Sequence, residues 1–197
     1  MPRDLTRREL FAAAGLAAAG LAVSRGTARS DTPANAWTDL RQRLRGSLVL
    51  PDDPAYQQLA TPRNLRYAAV MPKAVALCAD DADVAATLAW ARKTNTPFAI
   101  RGGGHNYIDA SSSAGLIIST SRMNAARIDG TTLWAQAGVR NADLAKLLPA
   151  SADGRLLLPG GNCPAVGIVG LTLGGGIGPN APWAGLTADR LRRVTMV

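Results

Sequence analysis

The sequence predicts an α+β fold, and three observations carry that prediction. Between Ala74 and Ile100 a short apolar run, a capped amphipathic run and a second apolar run follow one another, which reads as strand, helix, strand. The second strand passes straight into Gly102-Gly103-Gly104. Two β-type runs around Asp129-Gly130 then read as an antiparallel hairpin.

Taken in order, Trp37, Leu40 and Leu44 have helical spacing and predict a helix from Trp37 to Arg45, ended by Gly46. Pro51 to Asn64 is polar and contains proline, so a loop with a short helical turn is expected. Ala74 to Cys78 is a short buried strand. Asp80 or Asp81 caps a helix to about Thr94, with Val84, Leu88 and Ala91 on one face. Phe98 to Ile100 is the next strand, with the glycine triplet at its carboxyl end, where open α/β sheets bind ligands. Gly115 to Thr120 is another strand. Ala126 to Ile128 and Thr132 to Ala135 form the hairpin, and Asn141 caps a helix through Leu148 that Pro149 stops. Beyond it, Gly160, Gly161, Gly167, Gly170, Gly174, Gly175, Gly176 and Gly178 crowd a short span, as expected of a chain passing close to a ligand.

The bulk numbers narrow the function classes. With 197 residues and 47% apolar content there is room for one or two compact domains with a substantial core. The formal charge is +8, but Arg3, Arg7, Arg8, Arg25 and Arg29 stand in the first thirty positions against only Asp4 and Glu9. No basic stripe interleaved with aromatics occurs, so a nucleic-acid partner is not expected; a site for an anionic cofactor explains the balance as well. Cys78, His105 and Cys163 are the only cysteines and histidine, too few and too irregularly spaced for a structural zinc site.

Residues 1–28 read as an export signal: Arg7-Arg8 precede the uncharged small and apolar run Ala12 to Val23, and Gly26-Thr27-Ala28 offers a cleavage point. The adjacent arginines resemble a twin-arginine signal, with an ordinary secretory signal as the alternative. The apolar run is too short for a stable membrane span. The expected destination is periplasmic or extracellular.

Each chemically suggestive residue has two readings. Glycines 102–104 let backbone amides converge on an oxyanion such as a pyrophosphate, or form a plain strand-to-loop turn. Arg101 adds charge at that anion or covers the sheet end. His105 is a functional imidazole or a structural hydrogen-bonder. Cys163, in Gly160-Gly161-Asn162-Cys163-Pro164, is a reactive loop thiol or the partner of Cys78 in a disulfide. The buried-strand setting of Cys78 favours the thiol.

Three motifs in order carry a resemblance: Arg101-Gly102-Gly103-Gly104-His105-Asn106-Tyr107, Gly161-Asn162-Cys163-Pro164-Ala165-Val166-Gly167, and Gly170-Leu171-Thr172-Leu173-Gly174-Gly175-Gly176-Ile177-Gly178. They resemble the berberine bridge enzyme-like flavoproteins of the vanillyl-alcohol oxidase and para-cresol methylhydroxylase (PCMH) type. Gly185 to Asp189 is similar to the segment that follows in that family. The resemblance implies a PCMH-type FAD-binding domain over residues 70–197, made of two α+β subdomains with the second incomplete, preceded by an N-terminal helix and loop over 29–69. It implies that Gly102 to Asn106, with Arg101, wrap the FAD pyrophosphate. It further implies that His105 bonds the flavin 8-methyl carbon and Cys163 ring carbon six, and that Val166, Gly167, Gly170, Leu173, Gly174, Gly175 and Gly176 approach the cofactor. The implied reaction is hydride transfer from an alcohol, sugar or amine, with oxygen as electron acceptor.

The chain departs from the family at Ser119, where relatives usually carry Asp, and in the proline-rich Pro179 to Trp183. It stops at Val197, inside the second implied subdomain, so it resembles a truncated member. No general base is assigned; Tyr107 is near the site by sequence alone. Beside the oxidase stand two competing expectations: an FAD-binding fragment without activity, and an exported α/β binding domain with a Cys78–Cys163 disulfide.

Overall fold

The computed structural model describes Arg3–Thr6, Glu9, residues 34–151 and residues 154–197. The expected signal's Arg7-Arg8 pair, its apolar run and its cleavage point lie outside the described residues. Among those described, no helix is long and apolar enough to cross a membrane.

The centre of the fold is a four-stranded sheet ordered β2-β3-β5-β4, built from β2 (Ser47–Val49), β3 (Ala74–Leu77), β4 (Phe98–Arg101) and β5 (Leu116–Ser119). Strands β3, β5 and β4 run parallel, whereas β2 adds an antiparallel edge. Central parallel strands are covered on both faces, which is why Ala74-Val75-Ala76-Leu77 and Leu116-Ile117-Ile118 read as unbroken apolar runs. On one face, Ala74, Ala76, Cys78, Leu116 and Ile118 pack under Trp37, Leu40, Val84 and Trp90. On the other, Val75, Leu77 and Ile117 pack under Val49, Tyr56 and Ala60. Side chains such as Leu40 and Ile117 are wholly buried, each contributing about 2 kcal/mol.

Two helices cover the first face. Helix α1 (Ala34–Arg43) stops short of the expected Arg45, and its Trp37 ring meets Trp90 of α3 (Asp81–Lys93) at 4.9 Å between centroids. Asp80 caps α3, its side chain accepting the Asp83 N–H. Asp83 is itself 1% exposed, and its carboxylate accepts from the backbone N–H groups of Arg45, Gly46 and Ala79 at 2.8–2.9 Å. Three donors replace the water this buried carboxyl group loses, and they tie the chain just after α1 to the start of α3. Helix α2 (Tyr56–Ala60) is the expected short turn, under the second face.

The hairpin β6 (Ala126–Asp129) and β7 (Thr132–Ala135) pairs Asp129 with Thr132, so its turn is Gly130-Thr131, one residue later than the Asp129-Gly130 expected. Only Gly130 of the two has a positive φ, 55°, which suits a turn with glycine first. Helix α4 (Asn141–Leu147) follows, then α5 (Ile168–Leu173) and α6 (Ala181–Ala184). A small core of Val139, Leu144 and Ile168 joins hairpin, α4 and α5. The last strand β8 (Arg193–Met196) pairs antiparallel with β1 (Arg3–Thr6), so part of the expected leader supplies a strand.

Candidate functional site

The site is assembled by two loops that touch through their backbones. The first leaves β4 at Arg101 and runs through Gly102-Gly103-Gly104 to His105; the second runs from Pro159 to Gly167. A Cβ on Gly103 would stand 2.3 Å from the Ala165 carbonyl oxygen and 2.4 Å from the Gly167 nitrogen. One on Gly167 would stand 2.7 Å from the Gly103 nitrogen. No side chain fits between these segments, so glycine is needed at both positions for the loops to meet. A bridge between Arg140 and Gly167 then brings the start of α4 to the same place.

His105 is partly buried, and its Nε2 is shut off from solvent without a hydrogen-bond partner. Burial holds the imidazole below its ordinary range, and the positive charges of Arg63 and Arg140 add to that. Neither arginine stood out in the sequence: they come from a loop before β3 and from the residue preceding α4, and only tertiary structure brings them to His105. Asn64 and Tyr67 reach the same loop, both donating to the Tyr107 carbonyl at 3.4 Å.

Arg101 is tied to distant backbone carbonyls. It is 6% exposed, with Nε on the Ser111 carbonyl and Nη1 on the carbonyls of Leu59 and Ala60, each at 2.9 Å. It thereby closes the carboxyl end of α2 and covers the sheet end, while its Nη2 is buried without a hydrogen-bond partner. Burial lowers its pKa. Asn106 is also engaged locally, its Oδ1 accepting from the N–H groups of Ile108 and Ala110.

Both cysteines are free, Cys78 buried and Cys163 exposed, so the expected alternative of a Cys78–Cys163 disulfide does not hold. Cys78 lies in the sheet core, where burial pushes its thiol up to about 12 and leaves it inert. Cys163 lies on the outer side of the second loop. That loop is gripped by Asn141, which does not cap α4 as expected. Asp143 accepts the Arg140 N–H instead, and the Asn141 side chain turns outward to the carbonyls of Gly161 and Cys163. Arg140 is the residue at the cap and Asp143, three positions on, closes back on it, so Asn141 begins the helix with its side chain free to hold the loop.

At the end of the second loop, Val166 is partly buried and Gly167 stands at the start of α5. Gly170 has open space where a side chain would be, and Leu173 is 52% exposed. Gly174 ends α5, after which Gly175 and Gly176 take φ values of 94° and 78° and turn the chain under Thr187. Tyr107, Ile108, Val169 and Ile177 are exposed apolar neighbours of these loops in the sequence.

Residues 72–197 match the FAD binding domain family. An FAD-linked oxidoreductase of Bacillus subtilis, YgaK, is 37% identical over 80% of this chain and 35% of its own length. The (R)-6-hydroxynicotine oxidase of Paenarthrobacter nicotinovorans is 31% identical over 78% of this chain and 33% of its own. Among solved structures, the wild-type BBE-like 1 protein of Physcomitrella patens superposes with a TM-score of 0.72 at 26% identity, over 81% of this chain and 37% of that one. The chain belongs to the FAD-binding domain family, in its berberine bridge enzyme-like, vanillyl-alcohol oxidase/PCMH-type branch, and its α+β fold is that of the branch. It spans about a third of the length of the curated relatives it matches.

Proposed function

We propose that the chain holds FAD through two covalent bonds, at His105 and at Cys163, in an oxidoreductase that takes hydride from an alcohol, sugar or amine and passes the electrons to oxygen. The observation that supports this reading is the backbone contact of the two loops at Gly103 and Gly167, one loop carrying His105 and the other the exposed free Cys163. The residues present fit the group. His105 offers a ring nitrogen with no partner of its own, kept neutral by burial and by two guanidinium groups, which is the nucleophilic form. Glycines 102–104 offer backbone amides to the pyrophosphate, with Asn106 shaping the loop beyond them. Val166, Gly167, Gly170, Leu173 and Gly174–Gly176 form the cofactor-facing side of the second loop and α5. When bound, the flavin supplies the hydride acceptor.

In this reading residues 1–28 export the chain, residues 29–69 pack α1 and α2 on the sheet, and residues 70–197 hold the cofactor. A flavin-holding chain without turnover is the second reading. What favours it is that Tyr107, the residue nearest in sequence to a base role, is 87% exposed, with only its carbonyl engaged.

Chain produced with FAD is tested by fluorescence in a denaturing gel and by intact mass. Retained flavin is expected, with one link lost in His105→Ala, the other in Cys163→Ala, and both lost in the double variant. Flavin that washes out of the wild type on denaturation would refute the covalent reading. Hydrogen peroxide release on a panel of alcohols, sugars and amines then separates an oxidase from a chain that only holds flavin.

A further inference from the structure

We propose that Asn141 is the positioning residue for the Cys163–flavin bond; the inference rests on the bicovalent reading above. Cys163 sits in an irregular loop containing two glycines and a proline, with its side chain exposed. Such a segment samples many conformations unless it is tied down. A bond between a thiol and one ring carbon needs the sulfur held to a fraction of an ångström, and misplacement by about 1 Å slows such reactions by roughly a hundredfold.

The ties come from one residue and its neighbour. Asn141 Nδ2 donates to the Gly161 carbonyl at 2.9 Å and to the Cys163 carbonyl at 3.1 Å, one proton for each. The Asn141 backbone N–H donates to the Val166 carbonyl at 3.0 Å, and the Ala142 N–H to the Pro164 carbonyl at 2.9 Å. Four carbonyls of the loop, two before the proline and two from it onward, are therefore held from the start of α4. Two carbonyl partners on one side-chain atom also settle which end of the amide faces the loop, because only the NH2 group can donate. The backbone ties survive any substitution that keeps α4; the side-chain ties do not. The role of Asn141 thus lies in fixing the Gly161–Cys163 half of the loop, which carries the sulfur.

The step it serves balances as follows. The Cys163 sulfur loses its proton and bonds ring carbon six of FAD. The hydrogen on that carbon leaves as a proton, and its electron pair enters the ring system. Dioxygen then takes up that pair with both protons and becomes hydrogen peroxide, which restores the oxidised flavin.

The test compares wild-type chain with Asn141→Asp and Asn141→Leu, each loaded with FAD in air. Asp keeps the shape but loses both donors, and Leu keeps the volume with a better helix former. Ser151→Ala serves as the control, since it removes the Ser151 hydroxyl bond to the Leu147 carbonyl at the far end of α4 without touching the loop. Circular dichroism checks folding, and flavin-bearing peptides are mapped by mass after proteolysis. The expected result is flavin retained on His105 in every variant, with bonding at Cys163 slowed at least about tenfold in both Asn141 variants and unchanged in Ser151→Ala. Wild-type rates at Cys163 in the Asn141 variants, or an equal loss in Ser151→Ala, would overturn the inference while leaving the bicovalent reading intact. A wild type with flavin on His105 and none on Cys163 would instead overturn the bicovalent reading, and this inference with it.

Discussion

The sheet around β3 and β5 and the glycine-rich stretch from Pro159 to Arg190 belong to one chain but are held by different forces. In the sheet, Val75, Leu116, Ile117 and Ile118 are wholly buried, and helices or loops cover both faces. In the glycine-rich stretch, α5 and α6 each bury one apolar residue, Ile168 and Ala184. What joins that stretch is backbone against backbone: Thr187 and Ala188 donate to the carbonyls of Gly176 and Gly175, and a Cβ on Gly178 would stand 1.6 Å from the Gly160 carbonyl oxygen. Leu173, Ile177 and Trp183 meanwhile stay exposed. A region built from packed side chains carries its stability with it. A region built from close backbone contacts with its apolar groups outside gains its stability from whatever binds it.

The largest effect is expected where the sheet region relies on a polar group. Asp83→Ala leaves the N–H groups of Arg45, Gly46 and Ala79 without their acceptor, and should cost about 4 kcal/mol in urea unfolding of the flavin-free chain. A loss below about 1 kcal/mol would show that water reaches those amides, and would weaken the picture of a self-sufficient sheet.

Two glycines sharpen the comparison on the other side. Gly103→Ala puts a methyl group into the contact between the two loops, where the neighbours are backbone, and should cost about 2 kcal/mol together with flavin retention. Gly170→Ala meets nothing within 4 Å and sits inside a helix, so the flavin-free chain should gain about 0.5–1 kcal/mol. If the cofactor approaches Gly170 as proposed, the same variant loses flavin despite its greater stability. Thermal unfolding and bound-flavin absorbance, measured on one preparation, distinguish the two effects. Unchanged flavin content in Gly170→Ala would remove that residue from the cofactor-facing side.

The two regions also differed in how far the sequence could be read. The strands at Ala74 and Leu116 and the Asp80-capped helix follow from local patterns, because burial on both faces forces continuous apolar runs and a cap needs only its own helix. The hairpin came out one residue displaced, since Asp-Gly and Gly-Thr are both acceptable turn pairs. Around the site, local pattern did not show the long-range ties that hold the loops. Arg101 and Asn141 are both tied to distant carbonyls, of Leu59 and Ala60 in one case and of Gly161 and Cys163 in the other. Gly103 reads as an anion-binding glycine in the sequence, but in the fold it first makes room for Gly167. Such partners are set by tertiary contacts that no window of sequence contains.

The smallest expected effect is also the most local. His105 is the chain's single histidine, so its imidazole resonances titrate without overlap. Burial, then Arg63 and Arg140, depress its pKa in the folded chain below the ordinary value of about 6.5. The unfolded chain therefore binds more protons in the window below that value. The stability His105 contributes is fully present above about pH 6.5 and is lost as pH falls through the folded pKa. Arg63→Gln and Arg140→Gln each remove one positive charge, and each should move the midpoint upward; Asp109 and the tyrosines Tyr67 and Tyr107 of the surrounding segments are left in place. The rate of flavin attachment at His105 should follow the same midpoint, because the neutral ring is the nucleophile. An imidazole that titrates at its ordinary value in the wild type would mean that neither burial nor the arginines act on it, whereas a lowered midpoint that ignores both substitutions would mean that the two arginines do not. In that second case the loop would owe its neutral histidine to burial alone.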